Sequence, residues 1–178
     1  MIRILCEIIL TMETSFSTFD LVDVKFRGDA MFETIFSLCS SLAMVGWAGL
    51  ILLPGQRWVV EILARVVIPL IIAAIYLFLM ASNYATAPAD AGFGTLDGVA
   101  SLFTIRGLLL AGWIHYLAFD LFVGSWEVSD ARANGIHHLL VVPCLLATFM
   151  AGPIGLAVYF AIKYASRALR AGAQEQVA

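Results

Sequence analysis

The sequence predicts an all-α integral membrane protein, a bundle of four transmembrane helices kinked by proline. Three observations carry this. The 178 residues are 62% hydrophobic and 13% charged, against about 45–50% and 25% for a soluble domain. The apolar residues fall into four runs, each long enough to cross a hydrocarbon core of about 30 Å as a helix. Segments rich in Pro, Gly and Asp separate the runs.

Residues 1–30 precede the first convincing span. Residues 1–12 are apolar but are interrupted by Arg3 and Glu7 and are too short to span. Residues 13–30 are polar and mixed in charge, and the stretch lacks the clean apolar core and small-residue cleavage site of a signal peptide. It reads as a weakly ordered tail, as an interfacial helix at 1–12, or as an upstream start, since Met31 opens the first span.

The first span is expected at 32–53, ended by Pro54-Gly55, and the second at 58–81, with a kink at Pro69. Residues 82–97 are a loop of Ala, Gly, Pro and Asp. The third span is expected at 98–124. The fourth is expected at 136–164, with Pro143 and Gly152-Pro153 disturbing its regularity. One domain, 31–170, and a tail, 171–178, complete the organisation. An even number of spans puts both termini on one side. That side would hold Arg3, Lys25, Arg27, Lys163, Arg167 and Arg170, and the other Arg57 and Arg132, so both termini are expected in the cytoplasm.

Several functions are disfavoured. A net charge of −3 and the lack of a basic tract give nucleic acid no footprint. Cys6, Cys39 and Cys144 show no C-x-x-C spacing, and the last two read as small core residues. No Ser or Cys has an evident base nearby in sequence, which argues against covalent catalysis.

The chemistry concentrates between Gly112 and His138, GWIHYLAFDLFVGSWEVSDARANGIHH. His115, Tyr116 and Asp120 sit inside a span, where an ionisable group costs roughly 2.5–3.5 kcal/mol on insertion scales. Glu127 and Asp130 are expected in the third loop, with His137 and His138 opening the fourth helix. Up-down topology brings this loop to the same depth as Glu61 and Arg65, which are spaced i,i+4 as an interfacial ion pair would be. Arg65 or a histidine of the fourth helix is the expected partner of Asp120. The candidate acid–base residues are therefore His115, Asp120, Glu127, Asp130 and His138. Arg65, Trp113, Tyr116, Trp126 and His137 are candidates for holding an apolar ligand. The same Asp, Glu and His cluster would suit iron, zinc or manganese, although its spacing matches no established metal motif and no cofactor is predicted.

The stretch GWIHYLAFDLFVGSWEVSDARANGI, followed by H-x4-P-C-L-x2-T-F-M-x-G-P-x-G-L, resembles the abscisic acid-deficient type membrane family. The match covers about 107–159, and W-x-G-L-x-L-L-P from Trp47 to Pro54 fits the family's first span more loosely. Plant members are required for neoxanthin formation, so the resemblance implies carotenoid or isoprenoid chemistry in a membrane. It implies an isomerisation that opens an epoxide to an allenic alcohol. The compact chain looks like a bacterial member, which implies the inner membrane and a related carotenoid or isoprenoid. The alternatives are a pigment-binding or assembly protein without chemistry and a metal-dependent oxygenase. Expected partners are membrane lipid, the isoprenoid ligand, carotenoid-pathway enzymes and a second copy of the chain. Gly46, Gly49, Gly107 and Gly112 would permit close packing in such a homodimer.

Overall fold

The computed structural model describes residues 28–175, and side chains to residue 172. The expectations for residues 1–27 lie outside the described residues. All regular structure among them is helical. The chain divides after Ser37 into two compact units. The described part of the first, residues 28–37, is the opening stretch of a helix in which Thr34 Oγ1 donates to the Ala30 carbonyl at 2.9 Å. Everything below concerns the second unit.

Three helices are long and apolar enough to cross a membrane: α1 (Gly28–Leu52), α2 (Trp58–Thr86) and α4 (Arg106–Ala133). The short α3 (Leu96–Phe103) precedes α4, and α5 (His138–Ala151) and α6 (Pro153–Glu175) follow it. The expected third span thus starts later and ends later than its hydropathy suggests. Thr95 caps α3 by accepting from Gly98 N at 3.0 Å, and Ile105 takes an extended conformation that breaks α3 from α4. At its far end α4 runs through Glu127 and Asp130, which are helical and not in a loop.

Pro69 changes winding in α2. Residues Trp58–Val67 are wound as a π-helix, with Ile68 N donating to Leu63 O, and α-helical winding resumes at Ile68. A proline cannot donate to the carbonyl four residues back and clashes with it, and wider winding before it relieves both problems.

The expected fourth span is two helices. α5 has 14 residues, about 21 Å at 1.5 Å per residue, and stops short of crossing. Gly152 at φ +38° turns the chain and Pro153 starts α6. The direction of α6 follows from its partners on and beyond α4. Gly152 lies against Asp120, Lys163 reaches Asp130, and Arg170 reaches the Asn134 and Gly135 carbonyls. α6 therefore runs alongside α4 and antiparallel to α5, and 136–164 form a helical hairpin whose turn lies level with Asp120 of α4. Three of the described helices, not four, have the length and hydropathy to cross a membrane, so they do not supply the even number of spans on which the expected placement of the termini rests.

The expected small-residue faces are used inside the chain. Gly46 receives Leu121, Gly49 receives Val59, Gly107 receives Asn83, and Gly112 receives Phe103. A side chain at Gly155 would collide with the backbone of Thr148, so that glycine sets how closely α6 returns along α5.

Candidate functional site

The face of α4 carrying Tyr116, Asp120, Glu127 and Asp130 meets the α5–α6 hairpin along its length. Positions 116, 120 and 127 share a stripe because four and seven residues return a helix to nearly the same direction. Each polar group on the stripe meets a specific part of the hairpin.

At the break between α5 and α6, the Tyr116 hydroxyl donates to the Phe149 carbonyl at 2.5 Å. Phe149 is in the last turn of α5, whose carbonyls lack helical partners. Asp120 is placed against Gly152, at the N-terminal end of α6, where a helix dipole favours negative charge. The two ends of a broken helix are thus each met by a group of complementary polarity. One carboxylate oxygen of Asp120, Oδ2, is buried and has no hydrogen-bond partner.

One step further along, Glu127 is 0% exposed. Thr148 Oγ1 donates to its Oε1 at 2.9 Å, while Oε2 is buried without a partner. Buried unpaired polar atoms are rare because each costs about 1–3 kcal/mol.

Toward the α4–α5 turn, Asp130 is fully engaged. Tyr159 Oη donates to Oδ2 at 2.5 Å, and Lys163 Nζ lies 2.8 Å from Oδ1 and 2.6 Å from Oδ2. Tyr159 is 0% and Lys163 8% exposed. Lys163 Nζ also sits 5.6 Å from the Trp126 ring centroid and 5.8 Å from that of Phe160. Asn134 donates to Asp130 Oδ2 at 3.2 Å and accepts from Arg167 Nη2 at 2.7 Å, which extends the network to the surface.

The other expected site residues are dispersed. Arg65 does not pair with Asp120. Its Nε donates to Ser125 Oγ at 3.1 Å, and its Nη2 to Ser125 O at 2.8 Å and Ser129 Oγ at 2.7 Å. Glu61 does not pair with Arg65 either; it lies 3.7 Å from Arg132 Nη1. Arg132 also donates to the Pro54 carbonyl. His138 Nε2 is 3.0 Å from the Ile51 carbonyl and ties α5 to the end of α1. His137 caps α5, its Nδ1 accepting from Leu139 N at 3.4 Å. His115 faces away from the stripe. Its ring lies 4.5 Å from that of Phe119 and 5.6 Å from that of Tyr76, beside an apolar cavity of about 200 Å³ between α2, α3 and α4. Trp113 stacks obliquely on Tyr116 at 5.6 Å. Among the described residues no three His, Cys, Asp or Glu side chains group in a way that could hold a metal ion.

Thr148, Tyr159 and Lys163 belong to this seam and were not among the sequence candidates. Their signal was present in part: Thr148 and Tyr159 fall within the stretch 107–159 that carries the family resemblance. Lys163 carried none beyond its charge.

A family model described as ABA DEFICIENT 4-like matches residues 34–159, which contain every residue of the seam except Lys163 and Arg167. No curated protein and no solved structure matches the chain.

Proposed function

The chain belongs to the ABA DEFICIENT 4-like family, and from that membership we propose that it is an acid–base isomerase of a xanthophyll-like isoprenoid lipid. The observation that carries the reading is Glu127: a carboxyl group 0% exposed within a membrane span, held by Thr148 through one oxygen and unpartnered at the other. Intramembrane carboxyls are costly and mark functional sites by default. Asp120 supplies a second carboxyl with an unpartnered oxygen two turns away on the same face.

In this reading Asp120 donates a proton to an epoxide oxygen and the adjacent carbon–oxygen bond breaks. Glu127 takes a proton from the neighbouring polyene carbon, and the electrons of that carbon–hydrogen bond become the new double bond. The product is an allenic alcohol of unchanged formula. Asp130, already bonded to Tyr159, Lys163 and Asn134, is left to position this end of α4.

A non-catalytic pigment-binding role is the second reading. It is favoured by the fit of Asp120 to the end of α6, which gives that carboxylate a structural use.

The seam's orientation is also proposed anew. Arg106 lies at one end, where Lys25 and Arg27 also precede α1 in the sequence, and four positive residues, Arg57, Arg132, Arg167 and Arg170, lie at the end with the α1–α2 and α4–α5 turns. Positive charge marks the cytoplasmic side, so we assign that end, the C-terminal end of α6 included, to the cytoplasm.

The test is a pigment profile from cells supplied with cyclic and epoxidised carotenoids. They would express wild type, Asp120→Ala or Glu127→Gln at equal levels. A new pigment of unchanged mass from wild type alone is expected. Equal conversion by Glu127→Gln would contradict the assignment.

A further inference from the structure

Between α1 and α5 lie two apolar cavities, of about 290 and 190 Å³, that share Met44 and Phe149. Because two walls are common, they form one groove. On α1 its wall runs from Ser40 through Met44 and Ala48 to Leu52, twelve residues or about 18 Å. Leu146 and Phe149 of α5 face it. The groove opens to the lipid side: Met44, Leu52 and Leu146 are all exposed.

Its two ends differ in chemistry. The end near Leu52 is wholly apolar. The other end is lined by Ser40 and Tyr116. Ser40 Oγ is buried without a partner. Tyr116 is one turn from Asp120 and hydrogen-bonded to the broken end of α5. A long apolar slot with an unsatisfied hydroxyl at one end and a polar helix break beside it fits a linear chain with an oxygen function at its tip.

We propose that this groove cradles the polyene of a hydroxylated isoprenoid, entering sideways from the bilayer, with its oxygenated end at Ser40 and Tyr116. This rests on the acid–base reading, because it delivers the oxygenated end of the ligand to the Asp120 end of the seam. An ordinary phospholipid acyl chain would fill the apolar wall equally well but would leave Ser40 unsatisfied. The His115 cavity shares no lining residue with this groove and includes neither Tyr116 nor Asp120.

The experiment uses the full-length protein in lipid nanodiscs with two probes. These are the polyene diol zeaxanthin and the hydrocarbon β-carotene, read by the induced circular dichroism of the bound pigment. Met44→Trp fills the groove at one of the two residues common to both cavities, at a site exposed enough to tolerate it. It is expected to weaken binding of both pigments about tenfold or more, a difference of about 1.4 kcal/mol. Ser40→Ala is expected to weaken the diol severalfold and leave the hydrocarbon unchanged. Unchanged diol binding in Met44→Trp would overturn the proposal. So would native mass spectrometry showing only phospholipid retained and not displaced by pigment. Groove-dependent binding without any conversion would sink the isomerase reading and leave the groove standing. Conversion by wild type that Met44→Trp does not alter would sink the groove alone.

Discussion

Lys163 Nζ stands 2.6 Å from Asp130 Oδ2 across 33 residues of chain. A single helix over 136–164 would place these residues at opposite ends of a span. Their contact requires the chain to turn back, and Gly152 and Pro153 make the turn. The result is a helix broken inside the apolar layer, a feature tolerated where protein surrounds it. Asp120, Glu127 and Tyr116 supply that protein surround from α4.

The pair is largely buried, with side-chain exposures of 10% for Lys163 and 18% for Asp130. Removing one partner of a buried pair costs about 3–5 kcal/mol, because the other charge is left uncompensated. Lys163→Met and Asp130→Asn should each lower the unfolding midpoint in detergent by a large margin. The double variant Lys163→Met/Asp130→Asn should lose less than the sum of the two, as a double-mutant cycle would read. Additive losses would mean that the pair is not coupled.

Thr148→Val removes the one hydrogen bond to Glu127 and keeps the shape. It should cost about 1–3 kcal/mol, since the carboxyl is then buried without any partner. Glu127→Gln keeps an acceptor for Thr148, so it should fold as wild type does while product formation fails. Chemical unfolding and the pigment profile, run on both variants, separate the two effects. Equal stability of Thr148→Val and wild type would count against the bond.

Gly152→Ala forces a side chain into a left-handed backbone conformation and places its Cβ 3.0 Å from Asp120 Oδ1. Backbone strain of this kind costs on the order of 1–3 kcal/mol. The loss should be partly relieved by Asp120→Gly in the same chain, which removes the crowding and leaves the strain. A loss that does not respond to the second change would place the cost in the backbone alone.

The hairpin makes a prediction about sides. Cysteines introduced at Gly55 and Arg170 should react with a membrane-impermeant maleimide from the same side, and one at Gly94 from the opposite side. In intact cells only Gly94→Cys should label, if the positive end faces the cytoplasm. Labelling of Arg170→Cys together with Gly94→Cys would restore a single fourth span.

Much of this was legible in the sequence. Hydropathy located α1, α2 and the body of α4, and the cost of ionisable groups in lipid singled out Asp120. Glu127 and Asp130 were recognised but assigned to a loop, because charges near the end of an apolar run look like its boundary. The broken fourth run escaped because both arms of the hairpin are apolar. A hydropathy sum does not register a reversal of direction, and only Gly152-Pro153 hinted at one. Lys163 and Tyr159 escaped for the same reason: their meeting with Asp130 exists only once the chain has turned. Arg65 misled because a lone cation near a lone carboxylate suggests a pair, whereas two serines one turn apart on α4 take its Nε and Nη2.

The most direct test of the central claim uses purified protein in nanodiscs with an epoxidised xanthophyll, without oxygen and with a metal chelator present. The account predicts a product isomeric with the substrate, formed by wild type and lost in both Asp120→Ala and Glu127→Gln. A product that needs oxygen or metal, or one heavier by an oxygen atom, would contradict it.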